Sequence, residues 1–182
     1  MSIFLTSDEH YSHHNIILYC NRPFTSVHEM NKALTERHNA VVKNDDVVWH
    51  LGDFCLDHSL IPTILPKLNG THYLVMGNHD RCYKQKKYIT TYKQYGFAGV
   101  YDNLNCFEGK FKLNHFPYSN IKEKELVDSD MTNDSSYWLL HGHVHEKFKI
   151  NSSLKQINVG VDVWDYAPVN LNILLELAGF AK

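Results

Sequence analysis

A short apolar run, Tyr73-Leu74-Val75-Met76, stops on Gly77 and is followed at once by Asn78-His79-Asp80. Packing alone gives a strand no reason to end in this way. The amide offers a neutral oxygen ligand, the imidazole a nitrogen ligand or an acidic N–H, and the carboxylate a charge that ligates or orients. The arrangement recurs. Apolar runs also lead into Asp8-Glu9-His10, Gly52-Asp53, His115 and Gly142-His143-Val144-His145. A chain of this kind must fold so that several strand ends meet, as α/β folds do at the carboxyl ends of their strands.

At 182 residues the chain is expected to form one domain, 1–182, with a sizeable core. No apolar run approaches the length of a membrane span, and Ser7, Asp8 and His10 come too early for a signal peptide. Cys20, Cys55, Cys82 and Cys106 are widely spaced and form no CxxC. They point to neither a disulfide framework nor a structural zinc site, and fit a reducing cytosol, in a bacterium or a phage-infected cell. A formal net charge of −2 argues against a dedicated binder of long nucleic acid. The 13 histidines are the compositional excess, and imidazole is the commonest transition-metal ligand side chain.

Ile3-Phe4-Leu5-Thr6 reads as the first strand. If the chain stays extended beyond it, alternation places Asp8 and His10 on one side, two ligands for one ion; a plain polar loop is the competing reading. His13, His14 and Asn15 read as loop residues or as support behind the ligands. Arg22 has the fork geometry to hold a phosphate, set against a solvated loop arginine. Ser26 and Glu29 form a capping-box pattern, opening a helix whose stripe Val27, Met30, Leu34, Ala40 and Val41 is assigned to core. Asn44-Asp45-Asp46 ends it in a solvated turn without a metal role. Val47 to Leu51 is the second strand, with His50 packed or behind the site, and Gly52 supplies the bend that turns Asp53 inward. Leu60 to Leu68 suggests a short helix containing Pro62 and Pro66. Arg81, beside the third strand's motif, is the better phosphate candidate, and Lys84 to Lys87 a solvated face. Residues 98–107 read as a strand pair or a loop, and 119–136 as a long loop and candidate lid. Gln156 to Val163 and Leu171 to Leu177 read as the last two strands.

Taken in order, D-x-H, G-D, G-N-H-D, H and G-H-x-H resemble the signature of the calcineurin-like metallophosphoesterase superfamily. Arg22-Pro23-Phe24, Trp49-His50-Leu51-Gly52-Asp53-Phe54 and Asn158-Val159-Gly160-Val161-Asp162 resemble a small bacterial and phage branch of it, so the likeness runs from Ile3 to about Leu177. The resemblance implies an α/β fold in four layers, α-β-β-α, with two mixed sheets face to face and helices outside. It implies one ion held by Asp8, His10, Asp53 and His145 and another by Asp53, Asn78, His115 and His143, with Asp53 bridging. By the same resemblance His79 would contact substrate and assist the leaving group, and Asp80 could orient it; Asn78, with Arg81 and Arg22 from their own side-chain chemistry, completes the expected substrate-binding set. The donor set holds oxygen and nitrogen but no thiolate, which suits Mn2+ first, with Fe, Co, Ni or Zn as alternatives. It exceeds what one ion uses, and two ions roughly 3.5–4 Å apart are the economical arrangement.

The expected chemistry follows from charge. A phosphodiester repels anionic nucleophiles, so two cations bind its oxygens and lower the pKa of a bridging water, whose hydroxide attacks phosphorus. A small, slightly acidic chain favours a small phosphodiester or nucleotide as substrate, with Tyr11, Phe116 and Tyr118 as candidate stacking surfaces. A phosphomonoesterase is the alternative, and a metal-holding scaffold for a partner protein is a second class. The resemblance is compatible with a homodimer.

Overall fold

The structure, a computed structural model, describes residues 1–118 and 136–180. Its first sheet is built on four parallel strands, β1 (Ile3–Thr6), β2 (Val47–His50), β3 (Thr71–Val75) and β4 (Gly99–Tyr101). The short β10 (Val169–Asn170) runs antiparallel along β1, giving the order β10-β1-β2-β3-β4. The second sheet joins β5 (Leu104–Phe107), β6 (Phe111–Leu113), β7 (Trp138–His141), β8 (Ile150–Asn151) and β9 (Gln156–Asn158) in the order β5-β6-β7-β9-β8. Strands β6, β7 and β9 are parallel, and β5 and β8 are antiparallel edges. These are the two mixed sheets that the sequence resemblance implied.

Side-chain alternation along β3 shows how the layers form. Val75 enters the cluster between the sheets with Leu5, Phe111, Leu140 and Ile157. Leu74 and Met76 point the other way, towards helices α2 (Val27–Val41), α3 (Ile61–Ile64) and α5 (Ile89–Gln94), where Met30, Leu34, Ile61 and Tyr92 are buried. Each such apolar side chain contributes on the order of 1.5–3 kcal/mol when removed from water. The remaining helices are α1 (Ile16–Tyr19), α4 (Arg81–Lys84) and α6 (Leu171–Leu177). Among the described residues no helix is long and apolar enough to cross a membrane.

Several local expectations change. Ser26 Oγ accepts the Glu29 N–H at 3.2 Å, but the Glu29 carboxylate reaches back to the Thr25 N–H and hydroxyl rather than to Ser26. The buried stripe of α2 is Met30, Leu34 and His38, while Ala40 and Val41 are exposed. Residues 98–107 supply two strands, β4 and β5, that enter different sheets instead of pairing with each other. Leu171 to Leu177 is a helix, α6, capped by the Asn170 side chain on the Asn172 N–H; its Leu171 and Leu174 fill the inter-sheet cluster. Of Gln156 to Val163, only the first three residues are strand, and Val161–Val163 form a single 3-10 turn. Asp46 is buried and accepts the backbone N–H groups of Ser2 and Lys43. The loop expected over 119–136 lies outside the described residues, Ser136 apart.

Candidate metal centre

The carboxyl ends of β1, β2 and β3 from one sheet meet those of β6 and β7 from the other. Backbone bonds align the loops that follow: Asp8 N–H donates to Gly52 O, His10 N–H to Asp53 O, and Gly142 N–H to His115 O. Ser7 bridges to Gly160, tying the end of β1 to the segment after β9. Asp8 and His10 do not share a side by strand alternation, as an extended chain would have them do. Both are left-handed, with φ of 58° and 51°, and so are Asp53 (56°), His143 (70°) and His145 (49°). This conformation costs an L-residue roughly 1–2 kcal/mol, and Asp and His are among the types that tolerate it. Five ligand-type residues held this way mark a backbone shaped around a site. Gly142 permits the close approach of the sheets, since a Cβ there would overlap Ser7 Oγ and the Asp8 carboxylate.

Asp53 stands at the centre. Its Oδ2 lies 3.6 Å from His10 Nε2 and 3.4 Å from His115 Nε2, and its Oδ1 accepts the His79 N–H at 2.8 Å. His115 Nδ1 donates to Leu51 O, so Nε2 faces the site, 3.0 Å from Asn78 Oδ1 and 3.2 Å from His143 Nδ1. Burial alone depresses an imidazole, but the Asp53 carboxylate outweighs it and lifts His115 to about 9. Against its own burial, Asp53 is held well below the usual carboxylate range by His115. His143 is pushed down to about 4 by burial and by His115. The Asp53 carboxylate thus favours a positive charge on His115, while a second one on His143 is disfavoured.

Asp8, His10 and His145 form the other half, with ligand atoms within 4.8 Å of one another. Asp8 Oδ1 and His10 Nε2 are buried and have no hydrogen-bond partner. Orphaned polar atoms of this kind are costly in a folded interior. Their coming together fits a cation, and Asp8, Asp53 and His115 form a second close group. The residues present therefore fit divalent metal binding in their chemistry. His13 Nδ1 lies 3.2 Å from His10 Nδ1, and Cys20 lies within reach of His145 and Asp162, a thiol the sequence reading left out.

Other predicted site residues have different surroundings. Asp80 is fully buried, and its carboxylate accepts the backbone N–H groups of Gly77, Asp53 and Phe54. It braces the loops, and among the described residues it makes no hydrogen bond to the His79 ring. Burial, with Asp53 nearby, pushes it up to about 7. His79 is exposed and lines a cavity of about 300 Å³ with His10 and His143. Arg81 is turned to His58, 2.6 Å away, and lies over the Tyr88 ring at 3.9 Å. Arg22 is no phosphate fork here: it is buried, and all of its N–H groups meet protein acceptors, chiefly Asp162.

Glu9, between two ligands, points the opposite way into a buried row. His72 Nε2 donates to Leu68 O, His50 Nε2 lies 3.0 Å from His72 Nδ1, and Glu9 Oε1 lies 2.5 Å from His50 Nδ1. Carbonyl Leu68 O only accepts, so a neutral His72 offers Nδ1 as acceptor, His50 donates through Nε2, and a protonated Glu9 donates to His50. Burial agrees, lifting Glu9 to about 7 and lowering His50 and His72 to about 3. Sequence reasoning named His50 as packed or behind the site, and beyond the excess of histidines it had no signal for the row.

The calcineurin-like phosphoesterase family model matches residues 1–176, and the chain belongs to that family of metal-dependent phosphoesterases. It is 37% identical to the uncharacterized protein MJ1445 of Methanocaldococcus jannaschii, over 96% of this chain and 90% of that one. It is 26% identical to the Gene 66 protein of Mycobacterium phage L5, over 87% and 86%. The crystal structure of the protein of unknown function AQ665 from Aquifex aeolicus superposes with a TM-score of 0.70 at 26% identity, covering 97% of this chain and 98% of that one. The relatives thus include an archaeal protein as well as bacterial and phage ones.

Proposed function

We propose that the protein hydrolyses a small phosphodiester or nucleotide with two divalent ions, Mn2+ first among Mn, Fe, Co, Ni and Zn. The observation that supports this best is the place of Asp53 Oδ2, between His10 of one ligand set and His115 of the other. Asp8, His10, Asp53 and His145 would hold one ion, and Asp53, Asn78, His115 and His143 the other. Ions held there supply Lewis acidity to a phosphoryl oxygen and lower the pKa of a water.

The protein's own residues do the rest. His79, on the wall of the cavity, hydrogen-bonds a phosphoryl oxygen and gives a proton to the departing oxygen. Lys147 on the same wall adds a cation, and Tyr19 a flat apolar surface. A cavity of about 300 Å³ is at the small end for ligand sites, which favours a small ester over a polymer. Free Cys20, Cys55 and Cys82 accord with a reducing cytosol.

The test is hydrolysis of bis-p-nitrophenyl phosphate beside p-nitrophenyl phosphate, on chelator-treated protein before and after Mn2+ is restored. Metal-dependent diester cleavage exceeding monoester cleavage is expected. A monoester preference replaces this reading with a phosphomonoesterase, and silence on both in protein that takes up no metal replaces it with a binding scaffold.

A further inference from the structure

Arg22 is a buried cation whose acceptors are all protein atoms. Nε donates to Asp162 Oδ1 at 2.8 Å and Nη2 to Asp162 Oδ2 at 2.9 Å, a bidentate pair with both side chains out of water. Nη2 also donates to Asp8 O at 2.7 Å, and Nη1 to Glu9 O at 2.9 Å, with Met30 Sδ at 3.5 Å. The guanidinium therefore has a protein acceptor for each of its five N–H donors. Two of those acceptors are carbonyls of the left-handed loop that carries Asp8 and His10.

Asp162 reaches the second ligand-bearing loop. Its Oδ2, besides accepting from Arg22, lies 3.0 Å from His145 Nδ1. A carboxylate only accepts, so His145 donates through Nδ1, and Nε2 is the ring nitrogen left with a lone pair for an ion. The pair ties the backbone of the loop that carries Asp8 and His10 to the ring of His145, ligands of one half of the centre, across 140 residues of chain. It makes no hydrogen bond to Asn78, His115 or His143, the donors of the other half, among the described residues. A buried ion pair is a poor means of stabilising a fold, because its desolvation offsets its attraction. Its value here lies in holding two loops in one geometry.

We propose that Asp162, locked by Arg22, is the positioning residue for His145, and that the pair sets the metal affinity of the Asp8–His10–His145 half independently of the other half. The inference rests on the two-ion reading above, and metal binding separates the two without any assay of turnover. Carboxylates behind a ligating histidine fix its tautomer, and their loss weakens metal binding about 10–100-fold. In Asp162→Asn the amide oxygen can keep the Arg22 Nε bond, while its NH2 replaces the oxygen that accepted from both Arg22 Nη2 and His145, gives up the Nη2 bond and faces His145 Nδ1. The His145 proton then moves to Nε2, and that half loses its lone pair.

The experiment is calorimetric titration of Mn2+ into chelator-stripped wild-type protein and Asp162→Asn, with the thermal melting of both metal-free forms beside it. The expected result is two ions in the wild type, and in the variant one ion at wild-type affinity with the second weakened about 10–100-fold. Repeating the substitution in a His145→Gln background should add no further loss of affinity, because the carboxylate acts through that ring. Should Asp162→Asn not fold, Arg22→Lys keeps the charge, gives up the fork, and is expected to weaken the same half. Unchanged affinities with only a lowered melting temperature would overturn the proposal, leaving Asp162 a brace of the fold. Equal weakening of both ions, or an undiminished effect in the His145→Gln background, would overturn it as well. If the wild type binds a single ion, the two-ion reading falls while the positioning role stands or falls on whether Asp162→Asn weakens that ion; if it binds none, both fall.

Discussion

The row of buried histidines behind the metal loop makes acid sensitivity calculable at one residue. His38, in the last turn of α2, donates through Nε2 to Asn69 O at 2.9 Å; its ring is tilted against His72 at 5.6 Å and parallel to His50 at 6.4 Å. Burial lowers it from 6.5 to about 4; the carbonyl contact opposes this and His50 reinforces it. A group with a depressed folded pKa contributes stability that is whole above the unfolded value and is lost as pH falls through the folded one. The window therefore runs from about 6.5 down to about 4, and at about 1.4 kcal/mol per pH unit the loss is about 3 kcal/mol. Metal ligands and other carboxylates titrate in the same range, so the measurement is a difference. His38→Gln removes the titration and keeps an N–H for Asn69 O. Urea unfolding of both proteins in one metal state, from about pH 7 to about pH 4, gives the two stabilities. The wild type is expected to lose about 3 kcal/mol more than the variant over that interval, with no change in the difference above pH 7. A difference that stays constant to about 0.5 kcal/mol across the range would refute burial of a neutral His38.

Three further outcomes bear on the site. Asp53→Ala removes the carboxylate that lies 3.6 Å from His10 Nε2 and 3.4 Å from His115 Nε2, and is expected to abolish activity together with uptake of both ions; metal analysis showing two bound ions, or full activity, would sink the assignment. His79→Ala should retain both metals and slow turnover by about 10²–10⁴-fold, checked by kinetics beside metal content, since its ring faces the cavity and only its backbone touches Asp53. Gly142→Ala forces a methyl group into Ser7 and the Asp8 carboxylate; a destabilisation of about 1–3 kcal/mol and a weakened Asp8 half are expected by melting and metal titration, and wild-type values in both would show that the sheets can separate locally.

What was legible in the sequence was the set of strand ends, because each carries ligand chemistry that packing does not require. Asp8, His10, Asp53, His115, His143 and His145 could be found one motif at a time. Arg22 could not be placed, since a guanidinium fork suits a phosphate and a carboxylate alike, and its carboxylate stands 140 residues away. Asp162 lay inside a stretch that resembled the family, but nothing local distinguishes an aspartate that braces a histidine from one on a turn. The buried row of Glu9, His50 and His72 draws on one loop and two strands, and only the histidine count hinted at it. Leu171 to Leu177 failed for a different reason: Leu-Asn-Ile-Leu-Leu-Glu-Leu satisfies both periods, and the Asn170 cap settles the choice.

The left-handed ligands explain why the site could be recognised without its geometry being deduced. Had Asp8 and His10 stayed extended, both would have belonged to the face of a single sheet. The reversal at φ of 58° and 51° ends the strand and brings their donors to the gap between the sheets, where His145 arrives from β7. Each proposed ion then draws ligands from both sheets: Asp8, His10 and Asp53 with His145, and Asp53 and Asn78 with His115 and His143. Packing of Leu5 and Val75 against Phe111, Leu140 and Ile157 brings these loops together, and the unpartnered atoms it buries at their ends are the cost of that assembly. A cation that satisfies those atoms binds the packed form and not the unfolded chain, so its binding energy adds to folding stability by linkage. Sheet packing and site assembly are therefore one event in this fold, and the strained loops persist because the core on either side over-determines them.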